Sequence, residues 1–365
     1  MVANPICQIV SKRLAATVFT LCIVIESTQP TVSAQEVTRP VSAPAVQLDA
    51  AVEMAGSLPR LYSLLVSWHD DLILEEYFNG RGPSTIANVK SVSKSVISAL
   101  IGIAISEAHI ESVSQPIGDF FGEELASETD AGKRRITIDD LLTMQSGLET
   151  TSNRNYGAWT QSSDWVRFAL AQPLERSPGS RMEYSTGNTH LLSAILTIAT
   201  GKSTLAFARE ALGEPLGFHL ANWPQDPQGI YFGGNDMEFT PRQMMAFGQL
   251  YLHGGRANGS QVIPADWVGA SLRPRAVSTR ESGRYYGYGW WIREMAGYWT
   301  PYAWGYGGQF IVLVPELNLV VVTTSSSFPS DERRPHLRQL YDLIEDLVIA
   351  PLSDAQRLAA VVRVH

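Results

Sequence analysis

The chain has 365 residues, 45% hydrophobic and 18% charged, with 28 Lys and Arg against 36 Asp and Glu for a formal net charge of −8. That balance describes a globular protein with a large core and excludes a disordered, weakly hydrophobic chain. An acidic chain with scattered positive charge also excludes a nucleic-acid binder.

At the N-terminus, Lys12 and Arg13 precede an apolar run over 14–25, and Val32-Ser33-Ala34 offers small residues for cleavage. This predicts an export signal over 1–34, removed before Gln35, and a periplasmic or secreted protein. The apolar run is short for a bilayer span, so no stable membrane anchor is expected after cleavage. Leu21 is bulky where a lipid-anchored Cys22 would need a small neighbour. Cys7 and Cys22 are the two cysteines and both lie in this segment. The remainder therefore has no disulfide, thiol nucleophile or cysteine metal site. Residues 35–47, rich in Pro and Val, read as a linker, and 48–365 as one domain.

Within that domain the pattern predicts a short helix over 48–55, then strands over 61–68 and 72–78 joined as a hairpin at His69-Asp70-Asp71. A helix beginning at Ser91 is apolar nearly all round (Val96, Ile97, Ala99, Leu100, Ile101, Ile103, Ala104, Ile105), which marks a core helix. From about 110 to 275 the pattern is helical with many loops, including 137–144, 163–171, 189–199 and 241–252. Strand character returns over 286–292, 309–314 and 317–324, and a final amphipathic helix covers 333–347. Strands at both ends around a helical insert give an α+β fold. One central antiparallel sheet is built from both termini and flanked by helices, with a mainly helical inserted subdomain.

Ser91-Val92-Ser93-Lys94 places a hydroxyl and an amine just under one helical turn apart, pointing the same way. A serine hydroxyl needs a base to become a nucleophile, and a lysine serves only when neutral, which burial favours. If Ser91 opens the helix, free N–H groups and the positive helix end lie beside a developing oxyanion. Chance alone supplies Ser-x-x-Lys often, so the chemistry needs a second proton carrier and an oxyanion hole. Tyr184, in a Pro-Gly loop fixed by the following helix, is the candidate carrier.

Other chemistries lack their signatures. No Gly-x-Ser-x-Gly elbow occurs, and no His-x-His or His-Glu-x-x-His, so neither an α/β-hydrolase nor a zinc site is expected. Gly233-Gly234 reads as a turn rather than a phosphate loop. His190 reads as a structural histidine. Tyr156 and Trp159 read either as a lid over the substrate or as ordinary loop packing. No metal or organic cofactor is implied.

The run of Ser91-Val92-Ser93-Lys94, then Ile136-Thr137-Ile138-Asp139-Asp140-Leu141-Leu142-Thr143-Met144-Gln145-Ser146-Gly147-Leu148, then Glu183-Tyr184-Ser185-Thr186-Gly187-Asn188, resembles the serine β-lactamase and penicillin-binding superfamily. The similarity is to the class C β-lactamase-like branch, which includes 6-aminohexanoate-dimer hydrolase and related esterases. Phe232-Gly233-Gly234-Asn235-Asp236, Thr240-Pro241-Arg242, Tyr286-Gly287-Tyr288-Gly289-Trp290-Trp291 and Gly305-Tyr306-Gly307-Gly308-Gln309 add to it, over roughly 60–345.

The resemblance implies a β-lactamase/DD-peptidase-like fold. It makes Ser91 the acylated nucleophile, Lys94 its activator and Tyr184 the proton relay to the leaving group. The Ser91 and Gln309 backbone N–H groups would form the oxyanion hole, with Asn188, Tyr306, Gly307, Gly308 and Tyr156 at the substrate. Two departures stand out. Thr186 occupies the usual asparagine position, with Asn188 two residues on as a substitute. Tyr306 replaces the third-motif lysine that holds a substrate carboxylate, unless Arg275, Arg280 or Arg284 takes its place. The expectation is an exported serine hydrolase cleaving a small-molecule amide or ester. Class C-type β-lactamase, D-alanyl-D-alanine carboxypeptidase and a non-turnover penicillin-binding sensor are the alternatives.

Overall fold

A computed structural model describes residues 48–128 and 130–362. The export signal expected over 1–34 and the linker over 35–47 lie outside the described residues. Helix α1 (Asp49–Ser57) leads into β1 (Leu61–Trp68) and β2 (Asp71–Tyr77). His69 and Asp70 both take positive φ, +50° and +72°, as a two-residue turn between right-twisted strands requires. The longer helices that follow are α2 (Ser93–Ser106), α3 (Thr186–Thr200) and α4 (Pro241–Leu252). Then come β3 (Ala276–Val277), β4 (Arg284–Tyr286), β5 (Trp291–Met295), β6 (Tyr298–Gly305), β7 (Gln309–Val314) and β8 (Leu319–Ser325). Helices α5 (Arg333–Ile344) and α6 (Ala350–Val362) complete the order.

The strands form one sheet in the order β2-β1-β8-β7-β6-β5-β4-β3, with every neighbouring pair antiparallel. The last strand pairs with the first, Leu65 opposite Val322, so the two ends of the domain are joined within the sheet, one strand in from its β2 edge. Alternation sets its two faces. Ile311, Leu313, Val320 and Val322 face α2, α4 and the helical part. Phe310, Val312, Val314, Leu319 and Val321 face the other way, into a core with residues of α1, α5 and α6. Helix α2 is buried on every side from Ser93 to Ala104, as its composition demands.

Several expected elements change at their edges. Residues 286–292 are not one strand: β4 ends at Tyr286 and β5 begins at Trp291. Gly287 and Gly289 break the run. Gly289 has φ +79°, and a Cβ on Gly287 would lie 2.1 Å from Ser271 O. Leu317 and Asn318 form the turn before β8, with Asn318 at φ +48°. Strand β6 escaped the sequence reading because Pro301 interrupts it, although this proline sits in a ladder opposite Ile292. The final helix bends into a wider turn at Glu345–Ile349 and continues as α6.

Gly289 couples the sheet to α2, because a Cβ there would lie 2.7 Å from Lys94 O and 3.0 Å from Ser98 Cβ. Gly289→Ala is expected to lower stability by about 1–3 kcal/mol, from backbone strain and overpacking together. A urea unfolding midpoint equal to that of the unmodified protein would contradict this.

Candidate active site

The chain reaches the Ser-x-x-Lys segment through a strained, well-anchored turn. Ala87–Asn88 pairs with Glu238–Phe239 in a short ladder. Lys90 then takes φ +51°. Its N–H donates to Asn88 Oδ1 at 3.0 Å, and its Nζ lies 2.7 Å from Asp236 Oδ1, which also accepts from Asn88 Nδ2 at 2.9 Å. Lys90–Val92 forms a single 3₁₀ turn, and the α-helix begins at Ser93. Ser91 therefore sits just ahead of α2 rather than opening it. Two hydroxyls fix the junction. Ser93 Oγ donates to Lys90 O at 2.6 Å and accepts from Met237 N at 3.1 Å, while Ser95 Oγ donates to Gly289 O at 2.7 Å.

Ser91 is half-buried, whereas Lys94 is only 1% exposed. Lys94 Nζ lies 2.5 Å from Gly234 O, 3.2 Å from Ser91 Oγ and 3.4 Å from Thr186 Oγ1, and 5.1 Å from the Tyr184 ring centroid. Burial pushes its pKa down to about 7, against an opposing pull from the charge of Asp236. Gly233 and Gly234 bring that carbonyl in by leaning on α3. A Cβ at Gly233 would lie 2.1 Å from Thr189 O, and one at Gly234 2.3 Å from Thr189 Oγ1. The sequence reading took these glycines as a turn and missed the carbonyl they deliver, since a backbone acceptor has no residue signature.

Tyr184 stacks on Trp291 at 5.5 Å and meets Tyr286 edge-on at 6.2 Å. Burial pushes its pKa up to about 12, against a smaller opposing pull from the neighbouring Ser91 hydroxyl. It is a neutral phenol across the ordinary pH range. Thr186 follows on the first turn of α3, its Oγ1 facing Lys94.

Asn188 does not substitute for Thr186. It is 2% exposed and accepts from Ser146 Oγ at 3.1 Å. Two residues on a helix are about 200° apart, so Asn188 faces away from the amine that Thr186 meets. Tyr156 is half-buried and its hydroxyl is held by Asn235 Nδ2 at 3.0 Å. Trp159 is fully buried against Trp165, His190 and Phe232, so of the two readings for this pair it takes ordinary packing. His190 is buried 3.0 Å from Asp226, a satisfied structural pair. Among the described residues no group of three His, Cys, Asp or Glu side chains is placed to hold a metal ion.

The 305–309 segment closes the other side. Gly305 ends β6 against the Lys90–Val92 turn, where a Cβ would lie 2.1 Å from Val89 O. Gly307 and Gly308 have φ +97° and +113° and pack on Ser326 and Ser325. Gln309 is buried as the ladder partner of Gly305, and its side chain exchanges hydrogen bonds with Ser325 at 2.7 and 3.0 Å. The Gly308 N–H donates to Gly305 O at 3.2 Å. The Tyr306 N–H, at the mouth of the turn, has no acceptor among the described residues. Among the described residues, Arg275, Arg280 and Arg284 form no cation–ring contact with Tyr306. Arg275 is held by Asp139 and Tyr288, and Arg284 by Glu281 and Trp291. The cation over the Tyr306 ring is Arg333, at 4.5 Å, which the sequence reading had left in an amphipathic helix.

The sequence profile of the Beta-lactamase family matches residues 62–345. The chain belongs to the Beta-lactamase family. By class it is a serine hydrolase. It is 27% identical over 332 residues to the 6-aminohexanoate-dimer hydrolase of Paenarthrobacter ureafaciens, covering 80% of this chain and 81% of that one. A solved Bacillus anthracis protein provisionally given the same enzyme name superposes with a TM-score of 0.68 at 22% identity, over 85% of this chain and 82% of that one. A D-stereospecific amidohydrolase from Streptomyces gives 0.66 at 14% identity, over 82% and 98%. These solved structures share the fold: a large antiparallel sheet flanked by helices.

The two side chains that the sequence reading singled out as departures, Thr186 and Tyr306, lie beside Lys94 and in the 305–309 turn respectively. The buried amine gives a stability signature. Unfolded, Lys94 holds its proton up to its ordinary 10.5; folded, it releases it near 7. The unfolded chain therefore binds more protons between those values, and stability falls as pH drops from 10.5 to 7. Relative to the unmodified protein, Lys94→Met is expected to gain stability over that same descent, by a few kcal/mol at most, and to show no pH-dependent gain above about 10.5. Denaturant titrations of both proteins at pH 7 and 10.5 check this, and a difference independent of pH would refute it.

Proposed function

We propose that the protein is an exported serine amidase or esterase that works through an acyl-enzyme on Ser91. Neutral Lys94 takes the proton of Ser91 Oγ, which attacks the substrate carbonyl carbon. The oxyanion is received by the Ser91 N–H and by an N–H of the 305–309 turn, either that of Gln309 or that of Tyr306, which has no acceptor among the described residues. The carbonyl re-forms as the C–N or C–O bond breaks, and Tyr184, resupplied by Lys94, delivers the proton to the departing amine or alkoxide. Water then attacks the acyl-enzyme, giving its proton back through the same pair, and the acid leaves with Ser91 restored. Export rests on the N-terminal charge and apolar pattern.

The observation that carries this reading is the Lys94 amine, buried and without a carboxylate in contact, 3.2 Å from Ser91 Oγ. Supporting it are the names of the relatives, an amide-cleaving enzyme and an amidohydrolase. Tyr306 in place of a lysine favours uncharged esters and amides. Arg333 over that ring favours a second reading, in which a carboxylate-bearing substrate such as a β-lactam is taken.

Intact-mass spectrometry after mixing with p-nitrophenyl butyrate, a linear 6-aminohexanoate dimer, a D-Ala-D-Ala peptide and nitrocefin separates these readings. Fast return to free mass with the ester or linear amide supports the enzyme. Strong nitrocefin turnover favours the second reading, and a lasting adduct favours a sensor. Ser91→Ala should abolish every adduct, and persistent labelling would remove Ser91 as the nucleophile.

The pH profile follows from the buried amine. Below about pH 7, kcat/KM should fall as Lys94 protonates, and Tyr184 should add no basic limb below about 12. Asp236→Asn removes the charge that holds the Lys94 pKa up, so its acid limb should move to lower pH. An unchanged or raised limb would count against Lys94 as the base.

A further inference from the structure

Lys94 can act as a base only if its lone pair, rather than an N–H, faces Ser91 Oγ. A neutral amine has two N–H donors and one lone pair. The Gly234 carbonyl at 2.5 Å can only accept, so it takes one N–H. The other N–H and the lone pair are divided between Ser91 Oγ at 3.2 Å and Thr186 Oγ1 at 3.4 Å. Both are hydroxyls, able to donate or to accept. If Thr186 donates to the amine, the lone pair is occupied, the second N–H turns to Ser91, and the base is disabled. If Thr186 accepts, the lone pair faces Ser91.

The Thr186 hydroxyl has a second neighbour, itself a hydroxyl, through which one of these states can be selected. Ser152 Oγ lies 2.9 Å from Thr186 Oγ1, and it also accepts the Thr186 backbone N–H at 2.9 Å. Both residues are nearly inaccessible, at 6% and 5% exposure, so bulk water does not compete for these protons. The Ser152 segment is fixed independently against the same strand of chain. Thr150 Oγ1 donates to Tyr184 O at 2.8 Å, Thr151 N donates to Ser185 Oγ at 3.2 Å, and Thr151 Oγ1 accepts from Gly187 N at 2.8 Å.

We propose that Ser152 is a positioning residue: it draws the Thr186 hydroxyl proton toward itself, makes Thr186 Oγ1 an acceptor for Lys94, and so turns the Lys94 lone pair to Ser91. This rests on the reading of Lys94 as the base. It also accounts for the departure at position 186. An asparagine amide keeps its acceptor oxygen separate from its N–H donors, whereas a threonine hydroxyl is both at one atom and needs a partner to take up its proton. The logic is that of a third group fixing the orientation of a catalytic base.

The test is a set of steady-state measurements with p-nitrophenyl butyrate on Ser152→Ala in three backgrounds: Thr186 as it stands, Thr186→Val and Thr186→Asn. In the Thr186 background, Ser152→Ala is expected to lower kcat roughly 10- to 100-fold with little change in KM. In the valine background it should add almost nothing, and in the asparagine background most of the loss should be rescued. A kcat equal to that of the unmodified protein, or the same loss in all three backgrounds, would overturn the proposal. Should Ser152→Ala not fold, Ser152→Cys, of similar size but a weak acceptor, takes its place in the same series. Ser91→Ala is run alongside. If it stays active the serine reading itself fails; if it is inactive while the three losses are equal, only the role of Ser152 falls.

Discussion

The Lys94 amine rests against the Gly234 carbonyl in a region closed to water, and the other features of the site are arranged around that contact. An ammonium buried there would need a carboxylate, and its nearest charged neighbour is already engaged: Asp236 is bonded to Lys90 and to Asn88. Acid and base are thus held in the same pocket without neutralising each other. The strained Lys90 backbone, at φ +51°, becomes intelligible in this light. The turn it makes sends the Lys90 ammonium to Asp236 and leaves Lys94, four residues on, inside the helix packing, where burial brings its pKa down to about 7.

Keeping that amine dry requires segments that are far apart in the chain. The Lys90–Val92 turn, the Tyr184–Thr186 segment, the Gly233–Gly234 loop, Gly289 and Gly305 all meet within the same few contacts. Glycine is what allows the approach, because at Gly233, Gly289 and Gly305 a methyl group would lie 2.1–2.7 Å from a backbone oxygen. Such an assembly lowers stability locally. The two apolar faces of the sheet, with α2 and α4 on one and α1, α5 and α6 on the other, offset it.

Where local chemistry governs, the sequence was legible. Strand β7 and helix α4 fall where they were expected. The first is an apolar run bounded by Gly-Gly and Pro. The second opens with a Thr240–Gln243 capping box and Pro241 at its first turn. The spacing of Ser91 and Lys94 was legible because three residues on one turn share a face in any context. What was not legible depends on backbone atoms or on angle. The Gly234 carbonyl, the free Tyr306 N–H and the Ser152 hydroxyl carry no residue-type signal at a distance. Asn188 looked interchangeable with Thr186 until helical geometry turned it toward Ser146. The aromatic run from Tyr286 to Ile292 read as continuous strand because the left-handed backbone of Gly289 and the close approach of Gly287 to Ser271 O show only in three dimensions.

The two departures from the family pattern become parts of one electrostatic argument. A lysine at position 306 would put a second ammonium near the site, and like charge would help to keep Lys94 deprotonated. Tyr306 offers no such help, and the only influence lowering the Lys94 pKa is burial. A protein that removes that charge has to exclude water more completely. It also cannot rely on an ammonium field to orient the amine, so the hydrogen bonds of Lys94 to Gly234 O and with Thr186 Oγ1 must do it. Positive charge returns at Arg333, delocalised over a guanidinium and lying on the Tyr306 ring. There it stands on a different element from the buried amine of α2, so the charge beside Tyr306 and the surroundings of Lys94 can vary independently.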